Sequence, residues 1–578
     1  MNKRFFFVIL SLLSLLFSSC QATESSSNDS DSTTSTILSE SQTSLSSQNS
    51  VSQYATDSEG FYILEEGYFD YHEDPADQGK RNKLSAAKAP KEAQLYFQAR
   101  LYGGGCQIPI YNVKTNLNHV WSATAPGRVN SGVVSLEMEG KIQFSLQTNF
   151  PLNNACVIRP LSAKVAPFFD NSRRVIYFTI DNPGSYTIEL SAKRVIHLFA
   201  SAIGRESSVK EKATMIFAPG IHNHENDARI DANNLCHLSS NSIVYLAPGC
   251  LFRGGFVGDN SSNITIGGYG FIDGSAFERN ADNGSKLIPL DFNFCTNLVF
   301  SGFSVLDPAG WCFNLYFGNT IAITNVNIIS SRSNGDGISI QSCQNVEVKS
   351  CFIRSWDDSL VVKNYNQWSN SSIEGITRHI HFSSCRIWTD LAQSMEIGYE
   401  TIGPVMDDIT FTDIIVLHAY HLAPISIHNA NNASLTNVAY RNITIEDADV
   451  DVSNGKAIDF SNAFSSAWST NHKTTALGSV DTVILQNILF LSGNDDLIVS
   501  IKGAIDTRSG YNNSEHDISN VSINDVLIKK SLVTESYPYL ITAYAPGLTF
   551  VVSGNKITGA VYRITNGIED YGWNIDVV

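Results

Sequence analysis

The sequence predicts an all-β chain, a right-handed parallel β-helix preceded by a small antiparallel β-sandwich. The first observation is a repeat. Gly302-Phe303-Ser304-Val305, Asn325-Val326-Asn327-Ile328, Ser350-Cys351-Phe352-Ile353, Ser384-Cys385-Arg386-Ile387, Asp413-Ile414-Ile415-Val416 and Asn442-Ile443-Thr444-Ile445 start 23, 25, 34, 29 and 29 residues apart. Later members, Asn487-Ile488-Leu489-Phe490 and Asp525-Val526-Leu527-Ile528, follow longer inserts. Short β-branched strands at such periods, with Asn at the corners, fit coils that bury an apolar face only by stacking. A leucine-rich repeat is the nearest rival, but its Leu-x-x-Leu-x-Leu consensus is absent. The second observation is a change of rhythm. Upstream of the repeat, runs such as Val133-Val134-Ser135-Leu136-Glu137-Met138 and Val175-Ile176-Tyr177-Phe178-Thr179-Ile180 alternate between Gly, Pro and Asn turns, as sandwich strands do.

Five segments follow in order. Residues 1–20 pair a basic head, Met1-Asn2-Lys3-Arg4, with a short apolar stretch through Phe17, which is the pattern of a secretion signal and too short to favour a spanning helix. Ser18-Ser19 before Cys20 resembles a bacterial lipoprotein cleavage site. Cys20 would then be lipidated and the protein held on the cell surface; ordinary export is the alternative. Residues 21–55 are mostly Ser, Thr, Asn, Gln and Asp, too polar to repay the entropy of ordering, and read as a tether. Residues 56–94 form a lead-in without a clear period, 95–205 the sandwich, and 206–578 the β-helix.

The 39 Lys and Arg against 56 Asp and Glu give a net charge of −17, which argues against nucleic acid and anionic membrane surfaces as partners. A lipid at Cys20 is the one membrane link expected, and the chain is expected to act as a monomer. Without Cys20, nine of the ten cysteines remain, an odd number with no Cys-x-x-Cys spacing. That pattern argues against a full disulfide framework and against a zinc site, and the thiols are expected to be mostly buried. No metal or cofactor is expected.

The chemistry concentrates in Asn334-Gly335-Asp336-Gly337 and Trp356-Asp357-Asp358-Ser359. Asp357 follows Asp336 by 21 residues, one coil of a solenoid, so three carboxylates should meet on one patch. Such a patch suits glycosidic cleavage, in which one carboxyl protonates the leaving oxygen while another takes a proton from water. Side chains alternate along a regular strand, so Asp357 and Asp358 can both reach solvent only at a corner or bulge. Asp407-Asp408 and Asp495-Asp496 also precede strands but have no Asn-Gly-Asp-Gly one coil earlier; they read as turns.

These motifs resemble the polygalacturonase family, glycoside hydrolase family 28, whose pattern is Asn-Thr-Asp followed by Asp-Asp. The dextranase and isopullulanase family, family 49, shares the β-helix, the aspartates and the N-terminal sandwich. Ile243-Val244-Tyr245-Leu246-Ala247-Pro248-Gly249 and Gly267-Gly268-Tyr269-Gly270-Phe271-Ile272-Asp273-Gly274 resemble the early coils of these enzymes. The resemblance implies Asp357 as general acid, Asp336 and Asp358 as the pair that activates water, and inversion at the anomeric carbon.

Two departures stand out. Where polygalacturonases carry Gly-His-Gly and Arg-Ile-Lys, this chain has Ala392-Gln393-Ser394-Met395-Glu396-Ile397-Gly398 and Ser426-Ile427-His428. Losing Arg and Lys removes the contacts that hold a uronate carboxylate. A neutral, dextran-like polysaccharide is therefore the expected substrate; a pectin-degrading hydrolase, a polysaccharide lyase and a non-catalytic glycan-binding solenoid are the alternatives. Candidate substrate contacts are Trp356, Lys363, Gln393, Glu396, Tyr399 and His428, with Trp388, Glu400, His418 and His421 as further candidates. For the aromatic residues the competing role is packing.

Overall fold

In the computed structural model, the described residues are 54–69, 82–122, 125, 127–279, 287–364, 375–450, 455–465, 476–494 and 496–553, together with the backbone of 560–565 and 568–573. The signal segment, Cys20, nearly all of the tether, Asp495 and much of the loop after Asn364 lie outside them.

From Met215 onward the chain winds into coils of three strands each, for example Ile338–Gln341, Gln344–Lys349 and Phe352–Ser355. Every first strand pairs in parallel with its counterpart on the next coil. The result is an 11-stranded sheet running from Leu235–His237 to Leu540–Ala543, and the second and third strands build a 21-stranded one. One apolar core, from Phe217 to Tyr537, fills the interior without a break.

The repeat seen in the sequence marks one corner of this solenoid. Gly302, Asn325, Ser350, Ser384, Asp413, Asn442, Asn487 and Asp525, which open the recurring tetrads, all adopt left-handed backbone, with φ between 50° and 84°. Gly, Asn and Asp tolerate that conformation best. The residue after each turns inward, and Phe303, Val326, Cys351, Cys385, Ile414, Ile443, Ile488 and Val526 are all buried. Of the nine cysteines after Cys20, all are unpaired and only Cys106 is exposed.

The parallel stack stops at Thr549–Val551, short of residue 578; Ala560–Thr565 and Ile568–Trp573 pair with each other as an antiparallel hairpin.

The strands before Met215 form two facing sheets, one of six strands built around Arg128–Glu139 and Arg194–Ala202 and one of five around Ile142–Thr148. All their pairings are antiparallel except that of Arg194–Ala202 with Arg128–Glu139, which is parallel. The sandwich lies against the coils through Tyr111, Val133 and Phe199 on one side and Phe271, Ile329 and Phe352 on the other. Buried charges rivet the contact. Arg159 pairs with Glu446 at 2.8 Å, and the His418 ring bridges Glu189 and Asp447 at 2.9 Å each.

Candidate active site

The Asn-Gly-Asp-Gly motif is shaped by backbone crowding. Asn334 takes left-handed φ of 50°. A Cβ on Gly335 would meet the Arg332 carbonyl at 2.5 Å, and one on Gly337 would meet the Ser359 carbonyl at 2.4 Å. Gly335 lets the motif turn tightly on its own coil, and Gly337 lets the two coils close on each other, which sets Asp336 above the next coil. There the Gly337 amide donates to the Asp358 carbonyl at 2.8 Å and Ser359 to that of Gln393 at 2.9 Å. Asp336, Asp358 and Gln393 therefore occupy one column on three successive coils, at the mouth of the 11-stranded sheet.

Trp356 to Ser359 form a bend between strands Phe352–Ser355 and Leu360–Asn364, the irregular backbone expected from two adjacent carboxylates that both avoid the core. Asp357 turns back toward the motif, its Oδ2 accepting from the Asn334 amide and its Oδ1 from the Asp358 amide, each at 3.1 Å. Asp358 Oδ1 accepts from the Gln393 amide at 3.0 Å.

The electrostatics at Asp358 are set by burial and by its acidic neighbours. Burial pushes the Asp358 carboxyl well above the usual carboxylate range, repulsion from Asp357, Asp336 and Glu396 adds to it, and Lys363 opposes it. Both causes favour a proton on the cluster that Asp358 shares with its neighbours. Burial would discharge Lys363, but Glu400, Asp336 and Asp358 outweigh it and keep the ammonium charged, 2.8 Å from Glu400.

A cavity of about 200 Å³ opens over the trio. Asn334, Asp336, Asp357, Asp358, Lys363, Gln393, Tyr399, Glu400 and His421 supply its polar and aromatic lining, and Trp121, Trp311, Leu391 and Leu422 the apolar walls. A larger cavity of about 320 Å³, between sandwich and coils, includes no member of the trio.

Five candidate contacts, Trp356, Glu396, His428, Trp388 and His418, do not line the cavity. Trp356 is fully buried, packed with Ala125 and Leu391, and its indole donates to the Asn118 carbonyl at 2.8 Å. Its ring is core, so the packing role replaces sugar stacking. Glu396 and His428 sit behind the wall, where His428 Nδ1 meets Glu396 at 2.8 Å and Nε2 meets Asp459 at 3.5 Å. Burial would lower His428, yet Glu396 and Asp459 raise it to about 9. Tyr399, itself in the wall, stacks on that imidazolium with centroids 4.1 Å apart. Trp388 is buried under the Arg354 guanidinium, and His418 belongs to the sandwich interface. Asp407 and Asp408 are engaged elsewhere, with Thr436 and His379.

The sequence reading did not single out Trp121, Trp311, Leu391, Leu422 or Arg279. Arg279 donates to the Asn334 side chain and lies within electrostatic reach of Asp357 and Asp336, with its Nε and Nη1 lacking hydrogen-bond partners. Its position after Gly267–Gly274 was the one available signal.

Fold and site together define a parallel β-helix with an aspartate trio at the mouth of one sheet. Residues 253–531, which include all three aspartates, match the family described as Glycosyl hydrolases family 28. A probable polygalacturonase of Arabidopsis thaliana is 30% identical over 115 residues, 20% of this chain, and the match spans a quarter of that protein's length. Among solved structures, Dex49A from Penicillium minioluteum is similar with a TM-score of 0.45 and 14% identity, over 80% of this chain and 96% of that one. A hyperthermoactive exopolygalacturonase from Thermotoga maritima gives 0.37 and 14%, over 64% and 89%.

Proposed function

We propose that this chain is an inverting glycoside hydrolase acting on a neutral polysaccharide. The observation that carries the reading is the trio itself, three carboxylates on adjacent coils at one cavity, with burial and mutual repulsion raising Asp358. Cleavage needs a proton on the leaving oxygen and a base for water in the same site. Asp357 reaches into the cavity as donor, and Asp336 with Asp358 holds the attacking water. Because neighbouring carboxyls titrate together, the resting proton on Asp358 belongs to the cluster and passes to Asp357 as substrate displaces water.

The neutral-substrate reading rests on what has become of the positions matching Arg-Ile-Lys. Ser426 donates its hydroxyl to Glu396, and both His428 nitrogens are engaged by carboxylates, so neither has a donor to offer a uronate. Lys363 is committed to Glu400. A panel of neutral and uronate polymers, with products followed by NMR, tests this. Hydrolysis of a neutral α-glucan with inverted anomers is expected. Activity confined to polygalacturonate would overturn the substrate, and unsaturated products absorbing in the ultraviolet would overturn hydrolysis.

Export and anchoring through Cys20 belong to the same reading, since a polymer must be met outside the cell. Replacing Cys20 with Ala should release the protein from membranes into the medium; unchanged membrane association would refute the anchor.

A further inference from the structure

We infer that Trp121, carried by the sandwich and lying outside the family-matched stretch, is a substrate-binding residue whose indole face stacks on the sugar next to the scissile bond. The inference rests on the hydrolase reading above and adds a part of the active site that the coils do not supply.

Trp121 lies on the connection between strands Tyr111–Asn116 and Arg128–Glu139. That connection is fastened to the coils on both flanks. Asn116 donates to the Ser331 carbonyl at 3.1 Å, three residues before Asn334, and Trp356 donates to the Asn118 carbonyl beside Asp357. The His119 ring stacks on Tyr420 at 5.5 Å, and Arg128 donates to Ser331 Oγ at 2.8 Å while pairing with Asp307.

The described residues on either side of Trp121 are thus anchored to the coils, which lowers the entropic cost of presenting its ring to a ligand. Yet its Trp121 is 50% exposed and lines the cavity together with the trio. A large indole kept partly in water on a fixed loop is unused apolar surface. In a cavity whose polar groups serve the reaction, the C–H face of a pyranose is the ligand surface it fits. Trp311 and Tyr399 provide further aromatic wall.

The test compares wild type with Trp121→Ala, Trp121→Phe and Asp357→Asn on the polysaccharide that responds in the panel. Trp121→Ala should raise KM about tenfold or more with a smaller change in kcat, and Trp121→Phe, which keeps a ring face, should recover most of the loss. Titrating oligosaccharide into Asp357→Asn and the Trp121→Ala/Asp357→Asn double variant should show the same weakening without turnover. Unchanged KM and affinity in Trp121→Ala, or a loss shared by kcat and thermal stability with affinity intact, would overturn the inference. Full activity in Asp357→Asn would instead remove Asp357 as the acid, and a wild type that binds but does not cut would sink the hydrolase reading; in both cases the binding comparison still decides for Trp121.

Discussion

Replacing Asp358 with Asn should abolish hydrolysis and, above neutral pH, make the protein more stable. Burial, then repulsion from Asp357, Asp336 and Glu396, raises the Asp358 carboxyl in the folded chain. A raised folded value means that the group's contribution to stability is whole below its unfolded pKa, about 3.9, and is lost as pH rises through the folded value. The magnitude follows from the register. Asp336 and Asp358 stand in one column on adjacent coils, about 4.8 Å apart, and at an effective dielectric constant of about 20 two charges at that distance repel by about 3 kcal/mol. Asn keeps the oxygen that accepts from the Gln393 amide. It therefore removes the charge without orphaning the donor.

Thermal melts should then coincide at pH 4 and diverge by a few degrees at pH 9, with the variant higher. A constant offset across this range would mean that Asp358 ionises freely in the folded protein, and the argument for a shared proton would fail. Kinetics on an aryl glycoside with a good leaving group separates the roles, because such a substrate needs no acid. Asp357→Asn should retain much of its activity there, while Asp358→Asn should not. The opposite pattern would make Asp358 the donor.

Three further outcomes are expected. His428, raised to about 9 by Glu396 and Asp459, contributes stability below about pH 6.5 that is lost as pH rises through its folded value; His428→Gln should flatten an alkaline loss of about 3 kcal/mol in melts from pH 6 to 10. Trp356→Phe should cost about 1 kcal/mol in denaturant unfolding, because the part-buried Asn118 carbonyl loses its donor, and should raise KM by loosening the Trp121 loop. Arg279→Gln removes a positive charge that favours ionised Asp336 and Asp357, so the acid limb of the pH–rate profile should move to higher pH.

The coils were legible because their corners are local. Each tetrad opens on a residue that tolerates left-handed backbone and turns its second side chain inward, and both properties are written in four letters. The trio was legible because a parallel stack converts a sequence interval of one coil into vertical adjacency. The same register pairs Glu396 with Ser426 and Gly398 with His428. What it does not reveal is which of these neighbours neutralise one another. Trp356 misled because adjacency to Asp357 suggested a shared surface, whereas the bend sends the indole under the sandwich loop. Trp121 and Arg279 were invisible for a different reason. Their places depend on contacts between segments far apart in sequence, and no period links them to the motif.

This separation bears on how the trio works. The first cause of the raised Asp358 is burial. Asp358 opens onto a cavity that Leu391, Leu422 and Trp121 also line. One of these walls belongs to the sandwich, held in place by Asn116, His119 and the indole of Trp356. On the proposed reading, the sandwich would serve the site by offering a ring to the sugar, and a second role in shielding Asp358 is open to test. A mutation that loosens it should lower affinity and also shift the pH dependence of the rate, whereas loss of stacking alone would change affinity only.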